Sequence, residues 1–246
     1  MDEVKADKLQ LILLTGCIDP AGMHFTNLQD IEVRKSQYIE AIQYYLQQTN
    51  CHILFVENSG IDISAEFNSN PDLGRLEFLT FKGNNFDRSL GKGYGEMMIL
   101  DHATRNSVFF QRSAFMCKIT GRYQIRNIKQ LLASYVAEKK EIMVLLGQQL
   151  NYSDSRIFFA TPSFFRDILL KYQDQVNDLK KSYFEHVLCK AVLEAVTLGY
   201  TYMPFKYKIR ISGQSGTDGQ FYKDNFLSWY FWNLLHILRF KLNRLW

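Results

Sequence analysis

Apolar residues in this chain come in short unbroken runs, separated by longer stretches of helical periodicity. Residues 9–14 form such a run, end in Thr15-Gly16, and predict a buried parallel strand entering a loop. Across residues 31–48, Ile31, Tyr38, Ile42, Tyr45 and Leu46 share roughly one helical face. A second apolar run over 51–56 is closed by Glu57-Asn-Ser-Gly60. These three segments predict a right-handed β-α-β unit. Residues 76–81 predict a third strand, 95–105 a helix, 108–119 a strand region delivering Thr120-Gly-Arg-Tyr123, and a helix follows from Asn127. Further strands are predicted over 141–146 and 156–160, and residues 164–198 read as mostly helical. After Gly199 the alternation breaks. A Gly/Ser loop spans 212–219, and 225–246 predict an aromatic and basic helix.

The pattern predicts an α/β fold: an open, mostly parallel, Rossmann-type sheet flanked by helices, with a helical C-terminal extension. Residues 1–200 are expected to form the binding and catalytic domain and 201–246 the extension. A length of 246 residues and 47% hydrophobic content suit one large folded domain with an appendage. The net charge of +4 is too small to signal a dedicated nucleic-acid binder. Cys17, Cys51, Cys117 and Cys189 are scattered without metal-ligand spacing, so they read as buried thiols of a reducing compartment. The first eight residues are polar and acidic and lack a signal-peptide pattern, which favours the cytoplasm.

In an open α/β sheet, ligands bind beyond the carboxyl ends of the strands, which gives the polar strand tips their interest. Thr15, Gly16, Asn58 and Ser59 would be neighbours there and suit hydrogen bonds to a base and ribose; they also suit ordinary turns. Neither loop is a phosphate-binding P-loop or a GxGxxG. Lys92, Gly93, Tyr94 and Glu96 open a helix, where free N–H groups and a cation favour an anion. Lys118, Thr120, Gly121, Arg122 and Tyr123 follow the central strand. Arg122 suits a bidentate phosphate contact, Lys118 a point charge and Thr120 a hydroxyl donor. Glu185, beside His186, and Asp101, beside His102, are the candidate general bases. The segment 226–246 combines interfacial aromatics with Arg239, Lys241 and Arg244, a pattern that suits a helix lying in an anionic membrane surface. It also suits a helix docked on its own domain.

With these motifs in place, the chain resembles bacterial GT-A-type glycosyltransferases of capsule and O-antigen polysaccharide synthesis. The resemblance rests on Leu13-Leu-Thr-Gly16, Lys92-Gly-Tyr-Gly-Glu96, Lys118-Ile-Thr-Gly-Arg-Tyr123 and Tyr183-Phe-Glu-His186, across roughly residues 9–200. It implies a nucleotide-sugar donor at the carboxyl end of the sheet. Many such enzymes hold a divalent metal with an Asp-x-Asp motif. This sequence has none, and Thr120-Gly-Arg-Tyr123 stands at the corresponding place. The resemblance therefore implies a metal-independent glycosyltransferase, without cofactor, in which Arg122, Lys118 and Lys92 stabilise the departing diphosphate and Glu185 or Asp101 serves as base. Its partners would be the nucleotide-sugar, a lipid-linked glycan acceptor and the inner face of the cell membrane. Two rival readings are another nucleotide-sugar enzyme such as a nucleotidyltransferase, which would need acids for Mg²⁺, and a non-catalytic membrane-peripheral adaptor.

Overall fold

The computed structural model describes residues 8–21, 23, 26–216, 219–222 and 225–242. The chain opens with β1 (Leu9–Gly16), α1 (Ile31–Gln48), β2 (His52–Glu57), β3 (Leu76–Thr80), α2 (Lys92–Asn106), α3 (Val108–Arg112) and β4 (Ser113–Thr120). It continues through β5 (Gln124–Ile125), α4 (Ile128–Glu138), β6 (Ile142–Met143), β7 (Ile157–Ala160), α5 (Phe184–Thr197) and β8 (Tyr202–Met203), and ends in β9 (Ile211–Gln214), β10 (Phe221–Tyr222) and α6 (Phe226–Leu242).

Seven strands form one sheet in the order β3-β2-β1-β4-β7-β6-β8, in which β7 alone runs antiparallel to its neighbours. This is the mostly parallel, helix-flanked architecture read from the apolar runs. Each central strand is buried on both faces, which is why β1 and β2 read as continuous apolar runs rather than alternating ones. One core layer packs α1 and α4 against the sheet through Tyr38, Ile42, Tyr45 and Leu131. The opposite layer packs α2 and α5 through Met97, Leu100, Leu188 and Val192. A second sheet, β10-β9-β5, joins the α1 side.

Several elements depart from the sequence pattern. The expected strand 108–119 begins instead with α3, because Ser107 caps the Phe110 N–H at 2.9 Å and the Glu77 carboxylate accepts from the N–H groups of Val108 and Phe109, each at 2.8 Å. The expected strand over 141–146 shrinks to β6. The helical expectation over 164–198 breaks into a π-helical turn (Phe164–Ile168), a 3₁₀ segment (Leu169–Gln175), a loop and α5. The Gly/Ser loop contributes β9, which pairs with β5 and β10. Strands on both sides of position 200 share sheets, since β8 pairs with β6. Residues 243–246, including Arg244, lie outside the described residues.

Candidate active site

From β1 the chain crosses to β2 on one side, while β4 returns on the other, so the carboxyl ends of β1 and β4 mark the switch point of the sheet. The polar groups expected at strand tips collect there. The Gly121 N–H donates to the Thr15 carbonyl at 2.9 Å, and the Asn58 N–H to the Gly16 carbonyl at 3.1 Å. A side chain at Gly121 would stand 2.7 Å from the Thr15 carbonyl, so only glycine lets the two strand ends meet so closely.

Lys118 and Glu96 form an ion pair, in which the Lys118 side chain is 1% exposed. The Thr15 hydroxyl donates to Glu96 at 2.8 Å, and Lys118 also donates to the Ser155 carbonyl at 2.9 Å. The Ser155 hydroxyl in turn donates to the Glu185 carboxylate at 2.8 Å. Thr15, Glu96, Lys118, Ser155 and Glu185 therefore form one connected network below the switch point. A buried ammonium is tolerated only when paired and hydrogen-bonded, and this one is both. Its charge is answered by Glu96, so Lys118 acts on that carboxylate rather than as an open point charge. Thr120 approaches Lys118 at 3.5 Å, at the outer limit of hydrogen bonding.

Arg122 points to the other face. It is 7% exposed, and its Nη1 donates to the Gln214 carbonyl at 2.9 Å and towards the Gln37 side chain at 3.4 Å. Its Nε has no hydrogen-bond partner among the described residues. The guanidinium lines a polar cavity of about 500 Å³ with Gln37, Glu40, Gln124 and Arg126. An unsatisfied buried donor is costly, so Nε marks a local polar deficit in the turn after β4. Asn58 carries the matching feature, a buried Oδ1 without a partner.

Other expected residues are placed differently. At the amino end of α2 the anion position is taken by the chain itself: the N–H groups of Lys92 and Gly93 bond the buried Asp178 carboxylate. Gly91, at φ +83°, makes room for that carboxylate. Gly93 admits Val176 and Phe184, so it serves helix packing, and Tyr94 packs at a tilt against Phe86 with centroids 5.1 Å apart. Tyr123 is a core residue: its carbonyl accepts from Tyr45 at 2.7 Å, and burial pushes its hydroxyl up to about 12. Asp101 pairs with Arg105 at 2.8 Å, nine residues into α2 and so about 13 Å down the helix from the site. Glu185, not Asp101, is the base candidate brought to the network.

Two residues that sequence reasoning passed over organise the loops. Glu57 is fully buried, and its carboxylate accepts from the N–H groups of Ile18, Ser59, Gly60 and Ile61 and from the Ser59 hydroxyl. Ser59 in turn accepts from the Asp19 N–H at 3.0 Å. Arg34, also buried, bonds the carbonyls of Cys17 and Leu28, closing the loop after β1. A carboxylate at the end of an apolar run, followed by Asn-Ser-Gly, is the signal by which Glu57 could have been found.

No family model matches the chain, and no curated protein sequence matches it. Among solved structures it is similar to HddC from Yersinia pseudotuberculosis, with 10% identity, 83% of this chain and 93% of that one covered, and a TM-score of 0.40. It is similar to the galactosyltransferase LgtC in complex with donor and acceptor sugar analogs, with 7% identity, 75% and 70% covered, and a TM-score of 0.44. It is also similar to the bifunctional glycosyltransferase WbbM in its apo form, with 12% identity, 98% and 45% covered, and a TM-score of 0.46.

Proposed function

We propose that this chain is a glycosyltransferase that moves a sugar from a nucleotide-diphosphate donor to a lipid-linked glycan acceptor in bacterial surface polysaccharide synthesis, of the capsule or O-antigen kind, without a divalent metal. The observation that supports it most is the network at the β1/β4 switch point, flanked by the incompletely bonded guanidinium of Arg122. A donor lying across the strand ends would meet Asn58 and Ser59 with its nucleoside and Arg122 with its diphosphate. The acceptor oxygen attacks the anomeric carbon, the bond from that carbon to the diphosphate breaks, and its electron pair leaves with the phosphate oxygen. Arg122 meets the charge that develops there, where a preorganised donor is most effective. Glu185, held by Ser155, takes the acceptor proton. Glu96 and Lys118 fix the strand tips between them. The exposed apolar face of α6 suits attachment at the inner membrane surface.

The test is a thermal-shift and turnover screen across UDP, GDP, CMP and dTDP sugars. One donor should raise the melting temperature, since a ligand of the folded state stabilises it. Glu185→Gln keeps an acceptor for Ser155 and should lose about 10²-fold in kcat with donor binding retained. If no nucleotide-sugar stabilises the protein, the reading fails; if Glu185→Gln turns over normally, the base is another group.

A further inference from the structure

The carboxyl-terminal helix α6 is docked by a narrow stripe. Asn233 is buried and accepts the Lys208 N–H at 2.8 Å, His236 bonds the Phe205 carbonyl at 2.7 Å, and Phe240 reaches the core. The opposite side leaves Leu227, Phe231, Leu234, Leu235, Leu238 and Leu242 exposed, at 78% for Leu227 and 61% for Leu242. These fall at the four-residue spacing that makes one continuous outer face on a helix. Contiguous apolar surface of this kind marks an interaction site. No helix among the described residues is long and apolar enough to cross a membrane.

At the root of α6, where the apolar face begins, lies a groove of about 390 Å³ walled by Arg156, Lys208, Arg210, Tyr222, Trp229 and Trp232. The Lys208 ammonium stands 5.6 Å from the Trp232 ring, and the Arg210 guanidinium 5.6 Å from Trp229 and 5.0 Å from Phe226. The Trp229 indole N–H donates to the Lys208 carbonyl at 2.9 Å, so helix and cationic wall are tied together. Arg156 is answered by Asp154 at 2.7 Å and lies over Tyr222. Phe221 and Tyr222 line this groove and also the cavity at Arg122, so the two cavities share one wall.

Cations set among aromatic walls, next to an outward apolar stripe, match an amphiphile with an anionic head and a long apolar tail. We propose that this groove binds the phosphate group of a polyisoprenyl-phosphate-type lipid, whose chain lies in the bilayer against the outer face of α6. Lys208 and Arg210 contact the phosphate oxygens, Trp229 and Trp232 flank the first apolar units, and anything carried beyond the phosphate is directed over Tyr222 towards Arg122. The inference rests on the transferase reading only for the role of the bound lipid as acceptor carrier; the binding itself stands apart from it.

The test is flotation of the full chain with phosphatidylcholine vesicles containing a polyisoprenyl phosphate, against vesicles brought to the same surface potential with phosphatidylglycerol. The expected result is about tenfold tighter binding to the polyisoprenyl phosphate, and loss of that preference in Lys208→Gln/Arg210→Gln. Circular dichroism and the donor thermal shift of the double variant report whether it remains folded. Single Lys208→Gln, which alters one exposed side chain, should lose part of the preference and serves where the double variant does not fold. Equal binding to both vesicle types overturns the proposal, as does absence of flotation. Dimerisation that protects α6 from proteolysis, without flotation, overturns it in favour of a second copy. Inorganic phosphate that stabilises the protein through Lys208 and Arg210 as strongly as the lipid does overturns the commitment to a lipid. Donor binding measured by calorimetry without vesicles separates the two readings, because it can fail while lipid preference holds, and the reverse.

Discussion

Arg122 shows how a single side chain divides its work between fold and chemistry. Its Nη1 holds the Gln214 carbonyl, so the guanidinium ties the turn after β4 to β9, while Nε is buried without a partner among the described residues. Arg122→Lys keeps the charge but loses the planar fork. It should unfold near the wild-type temperature and lose donor affinity, whereas Arg122→Ala should cost on the order of 2–4 kcal/mol of transition-state stabilisation. Measuring kcat/KM beside thermal unfolding decides it: normal turnover in folded Arg122→Ala removes the residue from the mechanism. Cys17 makes an independent check on the same tip. Burial, countered in part by Arg34, pushes its thiol up to about 12, so little thiolate exists near neutrality. Alkylation at about pH 8 should run about 10³-fold slower than for a free thiol, and labelling at the free-thiol rate would show that the tip is open to water. The residue types at this site were legible in the sequence, as Arg122, Glu185, Thr15 and Asn58 illustrate. Their partners were not. Nothing within ten residues of Lys118 announces Glu96, and the pairing exists because β1, β4 and α2 converge in space.

At the scale of elements, the helix over 31–48 and the apolar runs of β1 and β2 were readable, while the turn at 108–112 and the broken stretch before α5 were not. The segment 31–48 is helical to its ends because Asp30 caps the Val33 N–H at 3.0 Å and the apolar positions share one face. By contrast, α3 owes its helical turn to Glu77, some thirty residues away in the chain, which no local pattern encodes. The amino end of α2 is the instructive case. The Gly-Lys-Gly-Tyr-Gly sequence did signal an anion site, and an anion is there, but it is the chain's own Asp178. Burial raises the Asp178 carboxyl above its ordinary value of 3.8, against the lowering effect of Lys92 and the helix N–H groups. The folded protein therefore binds this proton more tightly than the unfolded chain. Its contribution is most favourable below pH 3.8 and declines as pH rises through the window up to the raised folded value. Asp178→Asn keeps an oxygen for the Lys92 and Gly93 N–H groups and removes the titration. Denaturant midpoints of both proteins between about pH 3 and pH 7 should show the variant gaining on wild type as pH rises. A wild type that gains on the variant over that range would mean that the charged cap outweighs burial.

Across the whole molecule, the acids near the sheet's carboxyl edge are already engaged. Glu57 is saturated by N–H donors, Glu96 by Lys118 and Thr15, Glu185 by Ser155, and Asp178 by the start of α2. Among the described residues, no group of three or more His, Cys, Asp and Glu side chains is placed to hold a metal ion. A divalent cation held by Glu57 would have to draw that carboxylate out of its bonds, stranding buried N–H groups of two loops at about 1–3 kcal/mol each. Arg122 breaks no carboxylate contact of this kind, because its guanidinium, with a buried Nε that lacks a partner among the described residues, is a cation already in the turn after β4. Donor binding should therefore persist when divalent ions are removed. Titration of the preferred nucleotide-sugar by calorimetry in excess EDTA should give a dissociation constant within about threefold of that in Mg²⁺ or Mn²⁺, since hard cations that bridge protein and phosphate through carboxylates would otherwise contribute far more. Loss of binding in EDTA, restored by Mn²⁺, would place a metal between protein and diphosphate, held by carboxylates at the strand tips. The variant that then loses metal-dependent binding, among Glu57→Gln, Glu96→Gln, Asp178→Asn and Glu185→Gln, would name the carboxylate that holds it.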